Sequence, residues 1–183
     1  TWTQIGGDIN GEAAGDQSGY SVSLSADGSI VAIGALYNND NGISSGHVSI
    51  FKNVNGIWTQ VGSDIDGEVA YDYSGQSVSL SSDGSIVAIG ANGNGSGRGH
   101  VRIYRNINNT WTQIGSDIDG EAAGDFSGIV SLSSDGSIVA IGAYGNDGNG
   151  YNIGHVRIFK NINNTWTQIG SDIDGEANGG SSG

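Results

Sequence analysis

Cysteine, proline and methionine are all absent from the 183-residue chain. Without cysteine, a disulfide framework, a thiolate metal site and a thiol nucleophile are excluded. No apolar run approaches the roughly 20 residues that a transmembrane helix needs, so we expect no insertion into a membrane. Few stretches carry leucine, alanine, lysine and glutamate at helical spacing, which argues against amphipathic helices. Strands joined by turns remain as the expected structure.

Basic residues are also scarce. The chain has 6 lysines and arginines against 19 acidic residues, which gives a net charge of −13. Phosphate binding needs clusters of basic residues, so this balance argues against a nucleic-acid partner. It argues equally against anionic membranes. It fits a protein that stays soluble in salt or carries divalent cations on its surface.

Glycine is abundant, with 34 residues, and much of it belongs to an internal repeat. The phrase W-T-Q-[IV]-G recurs at spacings of 56, 53 and 55 residues and is followed each time by D-I-[DN]-G-E. The phrases S-x-D-G-S-I-V-A-I-G-A and G-H-V-x-I-[FY] each occur three times. The repeats open at Trp2, Trp58, Trp111 and Trp166.

Each repeat predicts four short antiparallel strands. In the middle copy these are Ser77–Ser81, Ser85–Ala91, His100–Arg105 and Thr110–Gly115. Val78 and Leu80 alternate with serine, the pattern of a half-buried strand, and Asp83-Gly84 marks a hairpin turn. The D-I-D-G-E segment is expected to link one unit to the next. The prediction is an all-β fold of tandem four-stranded antiparallel blades, similar to a β-propeller.

The repeat divides the chain into three complete units with partial units at both ends. The predicted divisions are 1–17 as the end of a preceding repeat, 18–73, 74–126, and 127–183 as the third unit plus the start of the next. The third unit lacks one residue, which we expect to be absorbed before Val130 in a turn at Gly128, since a slip would exchange the faces of the strand.

The chain opens at Thr1 on a fourth-strand phrase. We therefore expect that this sequence is a segment of a longer or processed chain, or a protomer that contributes a strand to its neighbour.

These phrases resemble the FG-GAP repeat, the blade of the integrin-α type of propeller. The resemblance rests on S-G-Q-S-V-S-L from Ser74, I-V-A-I-G-A from Ile86 and G-H-V-R-I-Y from Gly99. It implies an extracellular protein of about seven blades that binds partners through loops on one face. The calcium loop of that family is shortened here to Ser82–Ser85, too few residues to supply the six to eight oxygens that calcium prefers. The usual proline after Gly-Ala is also missing.

The acidic D-x-[DN]-G-E segments have two interpretations. Their acids are either solvated turn residues that cap backbone amides, or ligands of weak calcium sites between units, with help from Asp16, Asp72 or Asp125. No cofactor is required, and calcium is the secondary hypothesis. Three equivalent histidines are expected to be structural, because separate blades keep them too far apart for one metal set. The calcium candidates are Asp64, Asp66, Glu68, Asp117, Asp119 and Glu121, and the histidines are His47, His100 and His155.

The segments between the second and third strands vary most between copies. They are Leu36–Gly46, Asn92–Gly99 and Tyr144–Gly154, and they are either ligand-binding loops or plain hairpin loops. Their candidate binding residues are Tyr37, Asn38, Asp40, Asn94, Arg98, Tyr144, Asp147 and Tyr151. Three asparagines match the N-glycosylation pattern, although turn chemistry alone also explains them. They are Asn94, Asn108 and Asn163.

No catalytic motif is present: the sequence has no nucleophile elbow, no HExxH and no phosphate loop. The acidic positions outside the variable loops recur in each copy, whereas a catalytic site is built once per fold, so an enzyme is not expected. The leading hypothesis is an extracellular or cell-surface binding or adhesion module for proteins or glycans. The alternative is a structural subunit that binds further copies of itself head to tail and forms a filament, since a heterologous interface that does not close gives a fibre.

Overall fold

The computed structural model describes residues 1–148, 150–177 and 179–183. Asn149, within the predicted loop Tyr144–Gly154, and Asn178, within the third predicted unit, lie outside the described residues. The described chain forms three five-stranded antiparallel sheets in sequence order. The predicted all-β fold of repeated antiparallel blades is thereby confirmed.

Each blade uses the same strand order. The first contains β1 (Ser21–Leu24), β2 (Ile30–Ala35), β3 (His47–Val54), β4 (Ile57–Gln60) and β5 (Ile65–Asp66). The second contains β6 (Ser77–Leu80), β7 (Ile86–Ala91), β8 (His100–Ile107), β9 (Thr110–Gln113) and β10 (Ile118–Asp119). The third contains β11 (Ser127–Leu132), β12 (Ile138–Ala143), β13 (His155–Ile162), β14 (Thr165–Gln168) and β15 (Ile173–Asp174). A single turn, α1 (Asn94–Gly97), has left-handed dihedral angles at Gly95 and Ser96.

The core lies between blades rather than within them. Ile86 and Ala88 of β7 face the third blade, whereas Val87 and Ile89 of the same strand face the first. A strand that is covered on both faces needs apolar residues at every position, which is why I-V-A-I runs without alternation. Successive blades therefore stack face to face, as in a propeller.

The turn between the first two strands of each blade is held by one aspartate. Asp83 accepts hydrogen bonds from the Ser81 hydroxyl at 2.7 Å and from the Ser85 amide at 3.0 Å. At the equivalent exposed Asp27, hydrogen bonds from the Ser29 amide and the Ser25 hydroxyl lower the carboxyl pKa to about 2. The aspartate of this short turn thus closes the hairpin through hydrogen bonds.

The outer strand differs from the prediction. The predicted fourth strand Thr110–Gly115 ends at Gln113, and Ile118–Asp119, expected to be a linker, adds a further short strand to β8. The break lies at Gly115, which has a φ of +78°. The indole nitrogen of Trp166 in the next blade donates to the Ile114 carbonyl at 2.8 Å. The repeated tryptophan thus joins each outer strand to the preceding blade.

The missing residue of the third unit is absorbed where the sequence predicted. The register shifts between Ser127, which pairs with Ala143, and Ile129, which pairs with Gly142. Val130 then pairs with Ile141, the same register that Val78 and Ile89 have in the second blade. The bulge at Gly128 keeps the apolar side chains on their original face.

The two ends of the stack expose the surfaces that are buried inside it. Residues 1–20 contain no strand, because a fourth-strand phrase needs a third strand as partner and the described residues offer none to this phrase. On the first blade, Val22 and Leu24 are 63% and 59% exposed, whereas their counterparts Val78 and Leu80 are each 8% exposed. On the third blade, Ile173 is 55% exposed, against 6% for Ile65. We call these the head face and the tail face.

Candidate functional site

An aromatic cleft lies where all three blades meet. It has a volume of about 340 Å³ and is lined by Tyr20, Leu36, Tyr37, Tyr73, Gln76, Asn92 and Tyr144. None of these side chains carries a charge at neutral pH, in a chain with a net charge of −13. We call this set the aromatic cleft. Clefts that combine aromatic rings with a few polar groups are typical of small-ligand sites.

Aromatic pairs at the blade junctions fix the shape of this region. Tyr37 of the first blade meets Tyr73 edge to face, with ring centroids 5.8 Å apart. Phe126 stacks on Tyr144 at 5.3 Å and 7°. Tyr73 and Phe126 both have positive φ angles, of 56° and 51°, which an aromatic residue rarely adopts. The surrounding structure holds these rings in place at a local conformational cost.

The predicted loop residues separate into two groups. Tyr37 and Tyr144 line the aromatic cleft. Asn38 and Asn94 instead donate side-chain hydrogen bonds to Asp16 and Asp72, at 3.1 and 3.0 Å. These two asparagines hold the fold together at the blade junctions.

The remaining four loop residues do not line the cleft. Asp40 is exposed, and its carboxylate accepts a hydrogen bond from the side-chain amide of Asn38 at 3.3 Å. Arg98 pairs with Asp119 at 3.5 Å, and Asp147 accepts from the Asn152 amide within its own loop at 2.6 Å. Tyr151 is exposed.

Sequence reasoning missed part of the cleft. Tyr20, Tyr73 and Gln76 precede the inner strands β1 and β6 and lie outside the variable loops that the sequence predicts to bind ligands. The available signal was variation within an otherwise constant phrase: Tyr20 and Gln76 occupy the same repeat position, and Tyr73 replaces Gln17. Aromatic substitutions in a near-identical repeat therefore mark this surface.

Asp16, Asp72 and Asp125, which were considered as helpers of a calcium site, are buried structural acids. Asp72 accepts from the amides of Glu68 and Val69 at 2.9 and 3.0 Å, in addition to Asn94. Asp125 makes the same contacts with Glu121 and Ala122. In the second and third blades the amide-capping role thus falls to Asp72 and Asp125.

Each repeated histidine gathers carboxylates of its own. Within the described residues, ligand atoms lie within 4.8 Å of one another in four groups. Three of the groups are equivalent: Glu12–His47–Asp64, Glu68–His100–Asp117 and Glu121–His155–Asp172; the fourth is Asp40–His47–Asp66. Five of the six calcium candidates belong to these groups, and Asp119 does not. The histidines do begin strands, as predicted for a structural role.

The three equivalent histidine–carboxylate groups differ in one neighbouring side chain. Arg102 and Arg157 lie 3.7 Å from Glu68 and Glu121, while the first blade has Ser49 at this position. Burial raises the pKa of the Asp66 carboxyl, the neighbouring His47 and Arg102 oppose this rise, and Asp64 and Asp40 raise the pKa further. Carboxylates are therefore most crowded in the first blade.

The three candidate glycosylation sites have different surroundings. Asn108 and Asn163 are exposed in hairpin turns, with positive φ angles of 53° and 52°. Asn94 is partly buried and its amide nitrogen is bonded to Asp72. The turn geometry accounts for asparagine at the first two positions, because asparagine tolerates the left-handed region.

Comparison with known proteins supports the repeat over part of the chain and the fold over most of it. Residues 10–51 match the family described as FG-GAP repeat. No curated protein matches the chain significantly. Within the described residues, no helix is long and apolar enough to cross a membrane.

Several solved structures share the architecture. One is described as a candidate 6-phosphogluconolactonase from Bacteroides fragilis, with a TM-score of 0.59, 15% identity, and coverage of 85% of this chain and 38% of that one. Another is the β-propeller domain of the Trilobed protease from Pyrococcus furiosus, with a TM-score of 0.53, 11% identity, and coverage of 85% and 42%. The chain thus spans about two fifths of these structures, and identities this low show the propeller fold alone.

Proposed function

We propose that this chain, which has the β-propeller fold and matches the FG-GAP repeat over residues 10–51, is a non-enzymatic, extracellular binding module. The aromatic cleft is the binding site and a neutral glycan is the ligand class. The supporting observation is the lining itself, in which four tyrosines and two amides from three blades surround an uncharged cleft. The repeat family supports the extracellular placement.

The chemistry of the lining selects a neutral ligand. Tyrosine presents a large flat apolar face together with a polar hydroxyl, which suits a sugar ring with one apolar face and a hydroxylated rim. Gln76 and Asn92 supply both donors and acceptors for those hydroxyls. A basic or acidic peptide would find no charged partner in this cleft.

The same lining gives no support for catalysis. It contains no acid, base or nucleophile of the usual kinds beyond tyrosine hydroxyls. Most acidic positions recur in every blade, as expected for residues that build the repeat. Enzymes among the similar structures share only the propeller fold with this chain.

A glycan array of neutral and acidic oligosaccharides, followed by titration of the strongest neutral hit, tests the cleft. We expect Tyr20→Ala combined with Tyr37→Ala to weaken binding by about tenfold or more, because exposed aromatic anchors dominate such sites. Tyr151→Ala removes an exposed tyrosine outside the cleft and serves as the matched control. Absence of any neutral hit, or equal losses in both variants, would reject the proposal.

Head-to-tail assembly is the second candidate, and the two end faces favour it. The head face has the residues that the second and third blades use to receive a preceding blade, and the tail face has those that the first and second blades offer to the next. A second copy of this chain would therefore repeat an interface that already occurs twice within it. Exposed apolar patches of this kind mark association surfaces.

Blocking one face at a time distinguishes assembly from chance aggregation. Val22→Glu with Leu24→Glu closes the head face, and Ile173→Glu closes the tail face; Ile107→Glu on the middle blade is the control. In analytical ultracentrifugation we expect wild type and control to form open-ended oligomers, each blocked variant to be monomeric, and an equal mixture of the two blocked variants to form dimers. A monomeric wild type at high concentration would exclude this candidate.

A further inference from the structure

We propose that the first blade holds a divalent transition-metal ion of the zinc class, bound by the imidazole of His47 and the carboxylates of Glu12 and Asp64. This site shares no residue with the aromatic cleft and is independent of glycan binding. It uses Asp64 from the sequence-predicted calcium set, but with a nitrogen ligand and a different ion.

The buried histidine supplies the first argument. His47 is 3% exposed, and its Nδ1 atom has no hydrogen-bond partner. That atom lies 3.9 Å from Oε2 of Glu12. A buried polar atom without a partner is costly, so a ligand that bonds to it would stabilise the blade. A cation between the ring and the carboxylates satisfies both groups together.

The donor set determines the class of ion. Calcium takes six to eight oxygen ligands, whereas imidazole with carboxylates suits zinc and related ions. The three ligand atoms lie within 4.8 Å of one another, and zinc bonds of about 2.0–2.2 Å require them to approach further. Glu12 has a side chain that is 53% exposed, so a small rotation of this carboxylate can close the site. A water molecule would complete the tetrahedral geometry.

The other two blades show why the first is selected. Arg102 places its guanidinium 3.7 Å from Glu68 and also donates to the Asp66 carbonyl, at 2.6 Å. Arg157 does the same with Glu121 and the Asp119 carbonyl. In these blades an internal cation already neutralises the glutamate.

The first blade lacks that cation and has additional acid. Ser49 replaces the arginine and donates its hydroxyl to Asp64 at 2.6 Å, which orients this carboxylate. Asp40 and Asp66 bring two more carboxylates to the same imidazole. Four acids surround this histidine; Arg102 of the second blade lies beside Asp66, but Ser49 brings no positive charge to Glu12 and Asp64, and a divalent ion would supply it.

The repeat itself provides matched variants for the test. Isothermal titration of the metal-free 183-residue protein with zinc should give one site per chain, and cobalt should give the visible absorption of a tetrahedral complex. Ser49→Arg copies the natural side chain of the other two blades, so the fold tolerates it. We expect this variant to lose zinc affinity on the order of tenfold or more, as substitutions beside a metal ligand do. Arg102→Ser should create a second site at His100.

Three further measurements decide the proposal. His47→Gln should abolish zinc binding, whereas His155→Gln should leave the stoichiometry unchanged. Calcium in millimolar excess should not displace the zinc. The proposal is overturned if wild type binds no zinc at micromolar concentrations, if Ser49→Arg binds it as well as wild type, or if calcium competes at equal concentration. Circular dichroism confirms that each variant is folded.

Discussion

Gly90→Ala is expected to lower the free energy of unfolding by about 3 kcal/mol, because inserting even one methyl group into a tightly packed contact strains the backbone. Gly90 lies in β7, where a Cβ atom would overlap the carbonyl oxygen of Gly128 in the next blade. Both partners are backbone atoms, so no side chain can move aside. The same contact joins Gly34 to Gly75, so it is the close approach on which blade stacking depends.

Gly124→Ala is the control for this prediction. Gly124 has a φ of +92° but no atom near the position of a new Cβ, so only the left-handed backbone is penalised. That penalty is about 1–2 kcal/mol. Urea unfolding followed by tryptophan fluorescence measures both variants. If Gly90→Ala is no less stable than Gly124→Ala, the steric account of blade spacing is wrong.

Asp72→Ala is expected to cost about 3–5 kcal/mol, the second large effect. Asp72 is 1% exposed and accepts from two backbone amides and from the side chain of Asn94. Removing the carboxylate leaves these buried donors unpaired, at about 1–3 kcal/mol for each. The segment that enters the second blade would then lose its connection to the loop that follows β7.

Asp83→Ala serves as the comparison, because Asp83 is an exposed acid that also binds a backbone amide. Its donors can turn to water, so its removal should cost about 1 kcal/mol. Thermal and urea denaturation of both variants give the difference. Equal stabilities would mean that Asp72 does not hold the blade junction and that a calcium role for it should be reconsidered.

Much of the fold could be predicted because its signals are local. Val78 and Leu80 alternate along β6, and Asp83-Gly84 closes the hairpin through contacts within four residues. The bulge at Gly128 followed from a single missing residue, because a slip of one position would have turned Val130 outward. The end of the outer strand at Gln113 could not be read in this way, since it depends on a tryptophan from the next blade.

The candidate sites were harder to predict, because their residues come from different blades. Asn38 and Asn94 occupy variable loops and look available for binding, yet each holds a buried aspartate 22 positions before it. Tyr73 and Gln76 precede or begin an inner strand, and their place in the aromatic cleft follows only when three blades converge. Composition and spacing do not show where such side chains point.

The sequence by itself determined the repeat, the strands, the hairpin turns and the position of the bulge, because each follows from period-two patterning and turn chemistry within one unit. The tertiary structure alone decided which copies of a repeated residue differ in role. His47 and His100 begin the same strand phrase, which differs at Ser49 and Arg102, but only the fold places Glu12 beside one histidine and Glu68 beside the other. Stacking brings residues from distant parts of the chain together, and that juxtaposition produces the cleft, the crowded carboxylates and the two exposed end faces.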